Sequence, residues 1–544
     1  MTWDKNAPYK AESKKIVWDV APFLRGKGLD IGAGSFKVLP HIISVDNCID
    51  SKLFGMPVMP DVKVDSADDL SMFASRQMDF VYSSHLLEHM DDPAKTLKEW
   101  WRVIKPNGYL ILYLPHDELY PKVGEDGANP DHKHNLNEQK ITEWMKSIGH
   151  WDLEVCERRN QNDEYSFLMV FRKLDKQGWR EHWRFTCKQP KPPKTACVVR
   201  YGAYGDLMMA SSVWAGLKKQ GYHVTVFASP PGADVITNDP NIDKLVLFDV
   251  NQVPNADLGN FWNVQRKKFD KFVNLCESVE GTFLALPNRS QHAWPPEVRH
   301  RLLNYNYVQF AHELAGVPHD PKIKFYPTFE EKERAQKFRK KLDAQLVIMW
   351  SLAGSSVHKA WSGLDRIIAS ILVHYPEAHI VLVGGHDCKM LEAGWEKEPR
   401  VHCRSGEWSM RETLSFLPHC DMVIGPETGV LNAAACMDIT KICFLSHSTH
   451  ENLTRDWKNV ISLQSDKTVC PGRGNGVAPA CHQLHYGWTY CKKDEKTGTA
   501  QCQADISVEE VWHHVDWCLQ ALLHQKKLLS EVSSSLPLIP VPAK

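Results

Sequence analysis

The chain has 544 residues, and its formal net charge is -1, from 65 basic and 66 acidic side chains. This length exceeds what one hydrophobic core usually supports, so we expect two or three domains. The balanced charge excludes attachment to nucleic acid by bulk charge, and we expect no stable nucleic-acid binding.

The chain shows no apolar stretch of signal-peptide length near its start and no run that approaches a membrane span. We therefore expect a cytoplasmic protein with at most peripheral membrane contact. Its fifteen cysteines are then predicted to be thiols or metal ligands rather than disulfides.

Strand, glycine turn and helix patterns recur along the chain and predict an α/β fold with Rossmann-like parts. The proline-rich, charged segment 188–194 separates two such regions, and a weaker boundary lies near 325–345. The predicted organisation is listed here in chain order: a domain over 1–175, a linker over 176–194, an α/β half over 195–340, a second half over 341–529 with a cysteine-rich insertion over 464–505, and a disordered tail over 530–544.

A short strand at the start of the first domain runs into a glycine turn at Gly32 and Gly34, where the backbone can approach a ligand closely. The next strand ends at Asp46, the usual place for a carboxylate that binds ribose hydroxyls. Only 12 positions separate Gly34 from Asp46, so the first crossover helix is predicted to be short or missing. A further buried strand over 79–83 leads into Ser84 and His85.

Asp92 is predicted to cap the following helix, with Pro93 at its first position; this helix stops at 106–108, where an apolar strand begins. This order resembles the class I S-adenosylmethionine-dependent methyltransferases of the "LDIGCG … LEH … LKPGG" type, over roughly 25–172. The resemblance implies S-adenosylmethionine as cofactor, and the sites that it implies are as follows: Asp30, Gly32 and Gly34 around the methionine part, Asp46 at the ribose, Asp68 or Asp69 near the adenine, and Ser84 and His85 on the pocket floor.

Methyl transfer to a hydroxyl needs positioning and a base. The candidate bases are His85, His89, His132 and His134, of which we assign His85 as catalytic. Two alternatives stay open: Glu88 and His89 cap and brace the helix, or His85 and the cluster 131–134 bind a divalent metal.

The second region begins with a strand over 196–200 and a turn that contains Gly205 and Asp206 at a helix start. Such a helix start suits an anionic or sugar ligand, and Asp206 is placed to act as a base. Its alternative role is that of a simple helix cap. After 340 the pattern restarts with a strand that ends at Trp350, and Lys359 follows in a position to neutralise a leaving nucleotide. A later strand turns through Glu427, Thr428 and Gly429 into a helix, as a diphosphate cradle would.

These three motifs, in this order, resemble the heptosyltransferase-like glycosyltransferases, which have two facing Rossmann-like halves (GT-B type). The resemblance covers roughly 195–465 and the terminal helix over 508–529. It implies metal-free inversion at the anomeric carbon, with Asp206 as base and Lys359 at the donor phosphates. The residues that we expect to bind the nucleotide-sugar donor are Gly205, Ser355, Glu427, Thr428 and Gly429. Glu427 and Asn432 stand where the family usually has aspartate and histidine, a difference that can shift donor choice.

Four cysteines, Cys470, Cys481, Cys491 and Cys502, fall within a Gly/Lys-rich loop. We interpret them as ligands of a structural zinc; scattered thiols and disulfides are the alternatives.

The sequence thus predicts a bifunctional enzyme, which transfers a sugar from a nucleotide-sugar (ADP-heptose-like) donor to a glycan or other hydroxyl acceptor and methylates the sugar or the acceptor. A lipopolysaccharide-type glycan is one candidate acceptor. One alternative is that only one module is catalytic and the other binds or scaffolds the substrate. A non-enzymatic carbohydrate-binding adaptor is the other.

Overall fold

The computed structural model describes residues 11–49, 58–161, 163–175, 194–249, 251–276, 295, 298, 304–354, 359–446, 448–465 and 493–535. The strands are, in chain order, β1 Gly28–Ile31, β2 Ile43–Asp46, β3 Val62–Lys63, β4 Met78–Ser84, β5 Ile104–Pro115, β6 Trp151–Arg159, β7 Ser166–Lys173, β8 Thr195–Val199, β9 His223–Ala228, β10 Lys244–Leu247, β11 Lys271–Asn274, β12 Leu346–Ser351, β13 Ala378–Val383, β14 Val401–Cys403, β15 Met422–Pro426, β16 Thr440–Phe444 and β17 Val460–Leu463.

The α-helices are, in the same order, α1 Ser13–Val20, α2 Pro93–Val103, α3 Glu138–Lys146, α4 Tyr204–Lys219, α5 Pro230–Ala233, α6 Leu258–Arg266, α7 Tyr307–Ala315, α8 Phe329–Leu342, α9 Leu364–His374, α10 Met410–Phe416, α11 Gly429–Ala434, α12 Gln501–Ala504 and α13 Val508–Ser535. The predicted α/β class is confirmed. Among the described residues, no helix combines the length and the apolar character that crossing a bilayer requires.

The chain divides into two compact units: residues 1–193 with 246–270, and residues 194–245 with 271–544. The first unit is built on a seven-stranded sheet with the order β3-β2-β1-β4-β5-β7-β6. Strand β7 runs antiparallel to β5 and β6, whereas β1 to β5 pair in parallel. The chain order therefore reverses beside β1, which makes the carboxyl ends of β1 and β4 the expected ligand crevice.

Helix α2 covers this sheet, and its local sequence explains where it starts. The Asp92 side chain accepts a hydrogen bond from the Lys95 N–H (3.0 Å) and Pro93 occupies the first helical position, as predicted. Trp100 is fully buried in the core, and its indole N–H donates to the Ala67 carbonyl at 2.8 Å. The helix thereby holds the loop that carries Asp68.

The segment 246–270, which lies within the predicted half 195–340, packs on the first unit through α1 and α6. The Gln252 amide donates to the Ala21 carbonyl (2.6 Å), the Gln265 amide donates to the Trp18 carbonyl (2.5 Å), and Lys268 pairs with Asp19 (2.9 Å). The Gln252 and Gln265 side chains are buried, and these bonds join them and Lys268 to residues 18–21, so the segment contributes to the stability of the first unit.

The second unit contains a four-stranded sheet with the order β10-β9-β8-β11 and a six-stranded sheet with the order β14-β13-β12-β15-β16-β17. All neighbouring pairs of the six-stranded sheet are parallel. Its order is that of a doubly wound dinucleotide-binding fold, with the switch point between β12 and β15.

Two features hold the second unit together. Arg411 of α10 is 9% exposed and binds both carboxylate oxygens of Glu331 in α8, at 2.6 and 2.8 Å. The terminal helix α13 packs on the six-stranded half, where Val511, Val515 and Leu519 enter the hydrophobic core. Because α13 buries apolar side chains against the sheet, it is an integral part of this half.

Candidate active sites

The glycine turn of the first unit lies at the carboxyl end of β1 and is joined directly to the end of β2. Gly32 has φ +76°, a conformation that suits glycine, and its N–H donates to the Val45 carbonyl at 2.8 Å. The N–H groups of Gly34 and Cys48 donate to the two carboxylate oxygens of Asp46, at 2.9 and 2.6 Å. Residues 32–42, all described, contain no helix, as the short spacing predicts. Asp46 therefore lies at the turn despite that spacing.

Asp30 lies behind the turn rather than in an open cleft. It is 1% exposed, and its carboxylate accepts a hydrogen bond from the Val38 N–H at 2.8 Å. Burial raises the pKa of Asp30 to about 7. The side chain thus shapes the loop that encloses the crevice.

Asp68 occupies a separate, more exposed position. Its carboxylate accepts hydrogen bonds from Lys95 Nζ at 2.7 Å and from the Ser66 hydroxyl at 2.5 Å. The hydrogen bond from Lys95 holds the pKa of Asp68 below its usual value. The carboxylate is therefore ionised and can accept further hydrogen bonds, as an adenine-binding role requires.

His85 directly follows Ser84, the last residue of β4. Its φ is +49°, and its ring lies edge-on to Tyr113 and Tyr165. The ring Nε2 lies 2.9 Å from the Ser166 hydroxyl. Burial, the largest cause, lowers the pKa of His85 well below its ordinary value. His85 is consequently neutral near physiological pH, the state in which an imidazole can accept a proton.

The other predicted histidines of this unit separate into two environments. The rings of His89 and His132 lie 4.8 Å apart, next to the fully buried Glu88. His134 instead contacts the Met90 carbonyl (2.9 Å) and the Trp144 ring. Because the cap of α2 is Asp92, the side chain of Glu88 does not have the capping role considered above.

Asp206 lies in the first turn of α4, and both of its carboxylate oxygens are engaged. One oxygen accepts from Arg200 Nη2 at 2.9 Å, and the other accepts from the Ala203 N–H at 2.8 Å. Arg200 is 4% exposed, whereas the Asp206 side chain is 33% exposed. Both residues line a small pocket with Leu275 and Tyr307. Asp206 therefore caps its helix and also faces a pocket, and its role as a base stays a prediction.

The switch point of the six-stranded sheet brings together residues from separate motifs. The hydroxyl groups of Ser351, at the end of β12, and Thr428, which follows β15, lie 3.0 Å apart. Lys359 is 8% exposed, and its Nζ donates to the Glu427 carbonyl at 3.0 Å. Since a lysine ammonium has three protons, this bond leaves two for a phosphate. Lys359 and Thr428, which were predicted from separate motifs, thus lie at the same edge of the sheet.

The Glu427 carboxylate is used within the fold. One oxygen accepts from the Ser446 N–H at 3.0 Å and also from the Ser446 hydroxyl. Ser446 was not predicted as a site residue; its only signal is its position two residues after the buried strand β16. The sequence likewise did not indicate that Arg200 and Tyr307 line the pocket of Asp206.

Two glycines allow the starts of α4 and α11 to approach each other. A Cβ added to Gly205 would lie 2.7 Å from Asn432 Nδ2, and a Cβ added to Gly429 would lie 3.2 Å from the Gly205 nitrogen. Gly205 precedes Asp206 and Gly429 follows Thr428 in the chain. The close approach therefore places the predicted base and the predicted diphosphate-binding residue on adjoining helix ends.

Some predicted residues lie outside the described part of the chain, namely Ser355, Cys470, Cys481 and Cys491. Cys502 lies half-buried in α12. The zinc site of the insertion stays a prediction.

Comparison with known proteins finds both predicted resemblances again. Residues 44–112 match the family model of a methyltransferase domain. A protein of Mycolicibacterium smegmatis named "Probable S-adenosylmethionine-dependent methyltransferase" is 28% identical over 72 residues, which are 13% of this chain and 28% of that protein. The matched segment thus spans just over a quarter of that relative.

Solved structures with similarity include the Escherichia coli ADP-heptose LPS heptosyltransferase II, at 15% identity and a TM-score of 0.42, over 61% of this chain and 99% of that one. An S-adenosylmethionine-dependent methyltransferase from Methanosarcina mazei is 19% identical with a TM-score of 0.22, over 27% of this chain and 92% of that one.

Proposed function

We propose that the protein is a bifunctional transferase: the first unit transfers a methyl group from S-adenosylmethionine, and the second transfers a sugar from a nucleotide sugar with inversion. One observation carries the proposal. In each unit, residues from distant motifs converge at the carboxyl ends of the strands where the strand order reverses, which is where doubly wound sheets bind nucleotides.

Two features of the first unit support binding of S-adenosylmethionine there. Gly32 has no side chain and adopts a positive φ at the turn, and Asp46, at 8% exposure, ends the adjoining strand. When bound, S-adenosylmethionine supplies an electrophilic methyl group. The contribution of the chain is to orient the acceptor and to take up its proton. His85, which directly follows the last residue of β4, is the proposed acceptor of that proton.

In the second unit, the acceptor hydroxyl occupies the pocket beside Asp206 and gives its proton to that carboxylate. The acceptor oxygen then forms a bond to the anomeric carbon, while the bond from that carbon to the diphosphate oxygen breaks and its electron pair leaves with the nucleoside diphosphate. Lys359 and the Thr428 hydroxyl stabilise the negative charge that develops on the diphosphate. Arg200 keeps Asp206 oriented through the 2.9 Å ion pair.

The proposed donor is ADP-heptose-like and the proposed acceptor is a glycan, with a lipopolysaccharide-type glycan as one candidate, in the cytoplasm. The donor need not be ADP-heptose itself. Glu427, whose carboxylate accepts a hydrogen bond from the Ser446 N–H, has one methylene more than the aspartate usual at this position, and this difference can shift donor choice.

The first experiment is a thermal-shift titration of the intact protein with S-adenosylhomocysteine and a panel of nucleoside diphosphates. Ligands that bind the native state raise its melting temperature by mass action. We expect stabilisation by S-adenosylhomocysteine and by one nucleoside diphosphate, independently of each other. Stabilisation by only one class would reduce the proposal to a single catalytic module with a scaffolding partner, and stabilisation by neither would contradict it.

The second experiment tests the base. Asp206→Asn should reduce release of nucleoside diphosphate at least about 100-fold, because general-base catalysis contributes on that order. Asp320→Asn is the matched control, since Asp320 also pairs with a cation, Lys219, and its side chain is similarly exposed, at 30%. S-adenosylhomocysteine binding should survive in both variants. Full sugar-transfer activity in Asp206→Asn would overturn the assignment.

A further inference from the structure

A carboxylate and two imidazoles converge beside His85 in the first unit. Glu88 and His89 lie in the short helical turn after β4, and His132 lies in the loop between β5 and α3. Each residue offers one potential ligand atom, and these three atoms all lie within 4.8 Å of one another. The two segments are far apart in sequence, so only the tertiary fold assembles this cluster.

The Glu88 carboxylate is the most unusual member. Its side chain is fully buried, and neither of its oxygens accepts a hydrogen bond from the described residues. The nearest imidazole nitrogens, Nδ1 of His85 and Nε2 of His132, are 3.7 and 3.8 Å from Oε1. A buried carboxylate without partners is costly, and a bound cation would satisfy it.

The histidines are oriented as metal ligands usually are. His89 Nδ1 lies 3.1 Å from the Asp131 carbonyl oxygen, so Nδ1 is the protonated nitrogen and the Nε2 lone pair is left for a ligand. Such a second contact, which fixes the tautomer of a ligating histidine, is a recurrent feature of metal sites.

We propose that Glu88, His89 and His132 bind one divalent first-row transition metal ion. Two imidazoles and one carboxylate suit zinc, cobalt or iron better than magnesium or calcium, which prefer oxygen ligands throughout. Three protein ligands leave a coordination position for an oxygen donor, either water or a substrate hydroxyl. His85 Nδ1 lies 3.7 Å from the Glu88 carboxylate, so the bound ion would lie near the proposed base.

The test uses Co²⁺ with the full chain, because the visible spectrum reports its ligands. We expect one Co²⁺ bound with a ligand-field spectrum, in a background in which Cys481→Ser and Cys491→Ser remove the predicted thiolate site. Glu88→Gln and His132→Ala should each weaken binding at least tenfold, as measured by equilibrium dialysis. His134→Ala is the matched control, since that histidine contacts the Met90 carbonyl outside the cluster.

The variants separate the metal site from folding and from methyl transfer. Glutamine resembles a protonated glutamate, so Glu88→Gln should retain the melting temperature of the metal-free protein and its binding of S-adenosylhomocysteine. His132→Asn provides a second, less disruptive loss of the same ligand. Unchanged Co²⁺ affinity in Glu88→Gln and in both His132 variants, or no Co²⁺ binding by the background that carries Cys481→Ser and Cys491→Ser, would overturn the proposal. Neither result would bear on cofactor binding by the first unit.

Discussion

Replacing Gly205 with alanine tests the contact between the starts of α4 and α11. The added Cβ would lie 2.7 Å from Asn432 Nδ2, well inside van der Waals contact, and Asn432 is only 6% exposed. Overpacking of this kind costs about 1–3 kcal/mol. Alanine also reduces the conformational freedom of the unfolded chain, which stabilises the folded protein by about 0.5–1 kcal/mol. The steric effect is larger, so we expect a net destabilisation of roughly 1–2 kcal/mol.

The assay is a double-mutant cycle by thermal and denaturant unfolding. The unfolding transition of the second unit is identified as the one that a nucleoside diphosphate shifts. Gly205→Ala should lower the melting temperature of this transition by about 2–5 °C. Asn432→Ala removes the amide that the Cβ would meet, so the double variant should recover part of the loss and show a coupling energy near 1 kcal/mol. Sugar transfer should fall about 10- to 100-fold in Gly205→Ala, because small displacements of reacting groups are costly.

Gly385→Ala is the matched control within the same unit. Gly385 has φ -68°, and a Cβ added there would meet nothing within 4 Å. This variant should be as stable as the parent protein or slightly more so. An unchanged melting temperature in Gly205→Ala, or strictly additive effects of Gly205→Ala and Asn432→Ala, would refute the predicted contact between the two helix starts.

Three further changes should have distinct effects. Burial raises the pKa of Asp30 from 3.8 to about 7, so the stability contributed by its protonated form is complete below pH 3.8 and is lost as the pH rises to about 7, by roughly 4 kcal/mol at most. Asp30→Asn should therefore flatten the decline in melting temperature between about pH 4 and 7; an unchanged decline would mean that other groups cause it. Lys359→Met should weaken nucleoside diphosphate binding about 10- to 100-fold in calorimetry without affecting S-adenosylhomocysteine, because it removes a charged hydrogen-bond donor; equal affinity would exclude Lys359 from the donor site. Arg411→Met should lower the free energy of unfolding, measured with denaturant, by about 3–5 kcal/mol because it leaves buried Glu331 without its partner. The double variant Arg411→Met with Glu331→Leu should recover much of this loss. A loss below 1 kcal/mol in the single variant would show that the pair is not desolvated in solution.

Much of the fold is predictable from local sequence because strands and helix starts are encoded by neighbouring residues. The apolar runs ending at Trp350 and at Gly425 predict buried strands, and the structure contains them as β12 and β15. Asp92 and Pro93 predict the start of α2 for the same reason, since capping involves residues within one turn. The short distance between Gly34 and Asp46 likewise predicts that the first crossover helix is short or missing, and residues 32–42 contain no helix.

Side-chain partners that are distant in sequence are determined by packing, and local patterns do not reveal them. Ser446 holds Glu427 only because β16 lies beside β15 in the sheet. The docking of 246–270 on α1 depends on hydrogen bonds to backbone carbonyls near residue 20, which no motif in that segment indicates.

The sequence by itself determined the order of strands, glycine turns and helix caps, and with it the identity of most candidate site residues. Only the tertiary structure decided which side chains and backbone groups surround them. It places Asp206 against Arg200, and Glu88 beside His132 rather than at a helix cap. The physical reason is that a propensity or a cap acts within a few residues, whereas the charge, burial and partners of a side chain depend on segments that meet only after the sheets have formed.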